Sequence, residues 1–132
     1  MIIIDSNIWI FAENDNAAEH DIALRKISEA LEKDDFGLNV IVASEVYHIL
    51  SKLLGIDEAS RRAGNLIANN HSRWLEFDGE IVNKAVKLSH ANRIRINDAL
   101  IAQQALNENA AILTDNIKDF KKVSGLKIIP MR

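Results

Sequence analysis

Apolar positions open the chain without a break from Met1 to Ile4, run into Asp5, Ser6 and Asn7, and resume at Ile8, Trp9 and Ile10. A short β-branched run such as Ile2–Ile4 reads as a buried strand. From about Ala17 to Lys33, Ala23, Ile27, Ala30 and Leu31 recur at helical spacing. Leu38–Val42 predicts a second strand. Ser44 then begins a helix carrying Val46, Ile49, Leu50 and Leu53 on one face, with a stop near Gly55. Asp57 caps the next helix, whose stripe is Ala59, Ala63, Leu66 and Ile67. Trp74–Phe77 is a third strand. Asp78 caps a helix through Ile81, Ala85 and Leu88, and Asn97 caps another that reaches about Asn107. Ala110–Leu113 and Leu126–Ile129 are the fourth and fifth strands. The only proline is Pro130, so nothing before it is interrupted by proline.

Strands alternating with helices predict an α/β fold: a three-layer α/β/α arrangement around a mainly parallel sheet of about five strands. The 132 residues suit one domain spanning 1–132. In such a sheet, ligands bind beyond the carboxyl ends of the strands, where strand order reverses. Asp5 lies at one of these ends.

Composition narrows the picture modestly. The chain is 48% hydrophobic and 27% charged and contains no cysteine, which excludes disulfides and thiolate metal sites. No basic segment precedes the first apolar run, and no stretch reaches the length of a membrane span, so a cytoplasmic protein without membrane contact is expected. The formal net charge of −3 argues against a passive nucleic-acid binder. The charges are unevenly placed, however. Acidic residues gather between Glu13 and Asp35, while Lys84, Lys87, Arg93, Arg95, Lys118, Lys121 and Lys122 lie late in the chain.

Acids recur where strands are expected to end. Glu45 follows the second strand, Asp98 opens the helix "NDALIAQQAL", Asp115 follows the fourth strand, and Asp119 comes one helical turn later. Each alone has a structural explanation: Asp98 and Glu45 as first-turn residues complementing a helix dipole, Asp115 as a turn residue, Asp119 as a partner of Lys122. Asp5 has none so simple. In a doubly wound sheet these positions converge on one edge. Clustered carboxylates repel unless a cation neutralises them, and hard divalent ions such as Mg²⁺ and Mn²⁺ prefer oxygen ligands.

The segments "IIIDSNIWI", "ASEVYHIL", "INDALIAQQAL" and "ILTDNIKDF", in that order across nearly the whole chain, resemble the PIN-domain ribonucleases, in particular the VapC-type toxins of prokaryotic toxin–antitoxin pairs. The resemblance implies an endoribonuclease acting on RNA with a Mg²⁺- or Mn²⁺-dependent acidic site. The family's first three acids fall on Asp5, Glu45 and Asp98. The small polar residue after the first acid falls on Ser6, followed by Asn7, and the threonine ending the fourth strand falls on Thr114. Where many members place a fourth acid this chain has Asn116, flanked by Asp115 and Asp119, so either of these two aspartates can serve.

On this reading Asp5 and Asp98 bind the metal, Glu45 holds it or a coordinated water, and Asp115 or Asp119 orients water or a second ion. Ser6, Asn7, Thr114 and Asn116 brace the carboxylates, and the basic residues of Lys84–Arg95 and Lys118–Lys122 hold the RNA backbone. A homodimer and a small inhibitory antitoxin are implied partners, with Trp9, Ile10 and Phe11 as candidates either for such a contact or for the core. Two other classes remain: a Mg²⁺-binding phosphoacceptor domain, for which Asp5 lacks the usual neighbouring acid, and a scaffold whose acids only cap helices. A housekeeping PIN nuclease without an antitoxin is a further alternative. His20, His48, His71 and His90 form no ligand-spaced pair; His48, one turn after Glu45, is the one placed to face the acids.

Overall fold

The short apolar runs lie side by side in one sheet. A computed structural model describes residues Met1–Arg132. Strands β1 (Ile2–Ile4), β2 (Phe36–Asn39), β3 (Ser72–Leu75), β4 (Ala111–Thr114) and β5 (Lys127–Pro130) take the order β3-β2-β1-β4-β5. All four pairings are parallel. The expected α/β class therefore holds. Seven helices flank the sheet: α1 (Ser6–Glu13), α2 (His20–Lys33), α3 (Val40–Leu54), α4 (Ile56–Ile67), α5 (Gly79–Asn92), α6 (Ile96–Asn107) and α7 (Ile117–Phe120). None is long and apolar enough to cross a membrane.

The chain moves outward from β1 to β2 and β3, then returns to place β4 on the other side of β1. Strand order thus reverses between β1 and β4, and the crevice at their carboxyl ends is where such sheets bind ligands. β1 is central and covered on both faces, which is why it needs an unbroken isoleucine run; Ile3 and Ile4 are fully buried. Gly37 stands opposite Ile3 in β2. A Cβ there would lie 2.7 Å from Leu75 Cδ1 and 2.9 Å from Met1 Sδ, so the ends of these two side chains fill the space over the glycine.

Several boundaries differ from the sequence expectations, each for a local reason. The run "VIV" was expected to extend β2, but Asn39 ends the strand and its side chain accepts from the Val42 N–H at 2.9 Å. This caps α3 four residues before the expected start at Ser44, and a good N-cap outweighs the β preference of two valines and an isoleucine. β3 starts at Ser72 rather than Trp74. Asp57 sits in the first turn of α4 instead of capping it. The cap position is Gly55, whose φ of 87° also ends α3. Asn97 likewise lies inside α6, with Arg95 at the cap position. Asp78 does cap α5, accepting from the Ile81 N–H at 2.9 Å. Helix α1 was not anticipated. It starts immediately after β1 and carries Trp9 into the core, where its ring packs 5.0 Å from that of Phe36 at an interplanar angle of 56°.

Candidate functional site

The β1–α1 junction explains the carboxylate at Asp5. Its backbone N–H continues the sheet by donating to the Leu113 carbonyl at 2.9 Å. The residue then becomes the N-cap of α1, its Oδ1 accepting from the Ser6 N–H at 2.8 Å. The other oxygen, Oδ2, accepts from the Thr114 hydroxyl at 2.7 Å. Thr114 ends β4, is fully buried, and its Oγ1 in turn accepts from the Asn116 N–H at 2.9 Å. One short hydrogen-bonded chain thus ties the ends of the two central strands together across the crevice.

Asp98 enters from α6. It occupies the first turn, where the positive end of the helix dipole favours an anion, and is 3% exposed. Asn116 Nδ2 reaches Asp98 Oδ2 at 3.4 Å and Asp119 Oδ2 at 3.2 Å, linking α6 to α7. Glu45 is half-buried in the second turn of α3. Asp5, Glu45 and Asp98 lie within electrostatic reach of one another. Burial, and then the charge of Asp98, push the Asp5 carboxyl above its ordinary value, against the hydrogen bonds from Thr114 and Ser6. Burial and the Asp5 charge raise Glu45. Raised carboxyls grouped in a crevice mark a site that favours an added positive charge.

Among the sequence candidates, Asp5, Glu45, Asp98, Thr114 and Asn116 come together, and Asp119 joins them through Asn116. The hydrogen bond from Asn116 is the main influence holding the Asp119 carboxyl below its usual range. Asp115 turns the other way: its two oxygens take the Arg132 guanidinium at 3.1 and 2.9 Å. Ser6 acts through its backbone N–H rather than its hydroxyl. The Asn7 Oδ1 is buried without a hydrogen-bond partner.

Arg95 is the contact that the sequence reading did not single out. Its Nε and Nη2 lie 3.4 and 3.5 Å from the two oxygens of Asp98. Three-residue spacing across the first turn of a helix was the available signal. Lys84 pairs with Glu80 farther back on α5 and Lys122 with Asp119, so of the two basic clusters, Arg95 and the Lys118–Lys122 segment lie nearest the acids.

The donor set is compatible with a hard divalent ion. No three of the molecule's His, Asp or Glu side chains are drawn tightly enough to hold an ion by themselves. Mg²⁺ does not require that, since it commonly takes one or two carboxylates and fills its shell with water and phosphate oxygens. The buried pair Asp5 and Asp98 at the crevice meets this need, with Glu45 at its rim.

The largest concavity lies elsewhere. A groove of about 530 Å³ runs between α3, α4 and β3 and includes Val40, Tyr47, His48, Ile56, Ile67 and Trp74. His48 therefore faces this apolar groove, and Trp74 is 43% exposed on its wall. Trp9, read as either a partner contact or a core residue, is buried in the core, and Ile10 and Phe11 pack partly buried against it.

Comparison with known families matches residues 2–126 to the PIN domain. Comparison with curated proteins gives no match. Among solved structures, VapBC2 from Rickettsia felis, bound to a DNA fragment from its promoter, aligns with a TM-score of 0.77 at 24% identity, covering 98% of both chains. VapBC-1 from nontypeable Haemophilus influenzae aligns with a TM-score of 0.76 at 23% identity, covering 99% of this chain and 98% of the other. VapC20 from Mycobacterium tuberculosis, a toxin that cleaves the sarcin–ricin loop, aligns with a TM-score of 0.76 at 15% identity, covering 89% of this chain and 93% of the other. At these identities the likeness is one of fold.

Proposed function

The chain belongs to the PIN-domain family, and from that premise we propose that it is a Mg²⁺- or Mn²⁺-dependent endoribonuclease, the toxin of a toxin–antitoxin pair. The observation that carries this reading is the crevice between β1 and β4. There, buried Asp5 is bonded to Thr114 and lies within electrostatic reach of Asp98 and Glu45. The VapBC assemblies and the RNA-cleaving VapC20 among the structural neighbours favour a toxin over a housekeeping nuclease.

In this reading all of residues 1–132 form one nuclease unit working in the cytoplasm. Asp5 and Asp98 hold the ion, and Glu45 holds it or a water at its edge. A bound Mg²⁺ or Mn²⁺ would acidify a water for attack on phosphorus and offset charge on the phosphate oxygens. Ser6 and Thr114 each bond one oxygen of Asp5 and so fix the orientation of its carboxylate. Asn116 keeps Asp98 and Asp119 aligned, which favours Asp119 over Asp115 as the fourth acid. An open strand edge suits a long polyanion, and Arg95 with the Lys118–Lys122 segment supplies positive charge beside it. The apolar groove at Val40, Ile56 and Trp74 supports contact with protein, consistent with a homodimer and a small antitoxin.

The test is cleavage. Single-stranded RNA incubated with the protein and Mn²⁺ should be cut, with the activity removed by EDTA and by Asp5→Asn. Intact RNA at every Mn²⁺ concentration would remove the nuclease reading. Phosphorylation of Asp5 by acetyl phosphate would point to a phosphoacceptor domain.

A further inference from the structure

The Arg95–Asp98 pair joins two groups in opposite surroundings. The Asp98 side chain is 4% exposed and the Arg95 side chain 71%. The guanidinium touches both carboxylate oxygens, but at 3.4 and 3.5 Å, the long end of hydrogen-bond range. Such a pair is held mainly by charge and is easily exchanged. Arg95 is also the one basic side chain whose charge acts on both Asp5 and Glu45. It is therefore the counter-ion of the whole acidic edge, standing on the solvent side of carboxylates that face the crevice. An ion that uses the oxygens of Asp98 must displace it. No other acidic side chain bonds it, so on release its planar fork is free for another oxyanion. A phosphate reaching these acids approaches from the same solvent side, and arginine binds phosphate in two-point fashion.

We propose that Arg95 is an exchangeable counter-ion: it pairs with Asp98 in the metal-free protein, yields that carboxylate to the divalent ion, and then holds a phosphate of the RNA strand. This rests on the reading of the acids as a divalent-ion site that works on RNA.

Calorimetric titration of Mn²⁺ into wild type, Arg95→Gln and Arg95→Lys tests the first half without reference to turnover. Removing a unit charge a few ångströms from a divalent ion should tighten Mn²⁺ binding by about tenfold. Arg95→Lys, which keeps the charge, should bind Mn²⁺ like wild type. Fluorescence anisotropy of a short labelled oligouridylate in Ca²⁺ tests the second half. Arg95→Gln should bind it several-fold more weakly and lower the slope of log affinity against log salt by roughly 0.7, the share of one phosphate contact. Unchanged Mn²⁺ affinity, or weaker affinity, in a folded Arg95→Gln protein overturns the exchange. An unchanged salt slope overturns the phosphate role. If wild type takes up no Mn²⁺ at all, the metal-site reading itself fails, and the proposal with it.

Discussion

Replacing Thr114 with valine tests the bond on which the crevice is built. The substitution keeps the shape and removes one hydroxyl, which donates to Asp5 Oδ2 at 2.7 Å and accepts from the Asn116 N–H at 2.9 Å. A hydrogen bond to a charged group contributes roughly 1.5–3 kcal/mol, and an orphaned donor costs about 1 kcal/mol more when partly solvated. The expected loss for metal-free protein near neutral pH is therefore about 2–4 kcal/mol. In a chain of this size that is a fall in melting temperature of roughly 10 °C. The pH dependence is the sharper test. Burial already raises the Asp5 carboxyl above its ordinary value of 3.8, and the Thr114 bond opposes that rise. Without the bond the folded-state pKa climbs further, so the variant's fold holds the Asp5 proton more tightly. Its deficit is full above that raised pKa and narrows as pH falls through it. Thermal melts of Thr114→Val and Thr114→Ser from about pH 8 down to the ordinary carboxyl value of 3.8 measure this. Thr114→Ser keeps the hydroxyl and should lose only about 1 kcal/mol for its methyl group. Equal stability of the two variants, or a valine deficit that does not change with pH, would refute the reasoning.

Other consequences can be checked separately. Asp5→Asn relieves a buried charge and keeps an oxygen for the Ser6 N–H, but sets an amide donor where Oδ2 accepts from the Thr114 hydroxyl; the two effects oppose, so without metal it should melt within a few degrees of wild type while failing to cleave RNA, a separation of stability from function. Asp119→Asn should lower Mn²⁺-dependent cleavage clearly more than Asp115→Asn, because Asp119 is tied through Asn116 to Asp98 and Asp115 is bound by Arg132; rates at limiting Mn²⁺ decide this. Gly37→Ala forces a methyl group to within 2.7 Å of Leu75 Cδ1. Both that atom and Met1 Sδ are the ends of flexible side chains that can swing aside, so the substitution should cost no more than about 1 kcal/mol in urea unfolding, with no change in the Mn²⁺ requirement.

The sequence showed the parallel sheet because strands buried on both faces read as continuous apolar runs, as at Ile2–Ile4 and Ala111–Leu113. It also showed that Asp5 and Asp115 directly follow strands, whereas Glu45, read as following the second strand, lies in the second turn of α3 because that helix starts early. The start of α3 was misread because β-branched residues after Asn39 carry a strand signal, while the capping bond that overrules it is visible only in three dimensions. Helix α1 was missed for a similar reason: Asp5 was weighed as chemistry and not also as an N-cap, although it is both. Which of Asp115 and Asp119 turns toward Asp98 depends on Arg132, 17 residues beyond Asp115, and no local pattern encodes that pairing. The role of Trp9 was settled by Phe36, a neighbour contributed by the adjacent strand.

Everything in the functional account depends on Asp5, Glu45 and Asp98 sharing one divalent ion. Crystals soaked in Mn²⁺ and measured at the manganese absorption edge would locate it directly. The account predicts an anomalous peak in the β1–β4 crevice, touched by the carboxylates of Asp5 and Asp98, with the Arg95 guanidinium drawn away from Asp98. A featureless crevice at saturating Mn²⁺, or manganese bound only at another part of the surface, would contradict it.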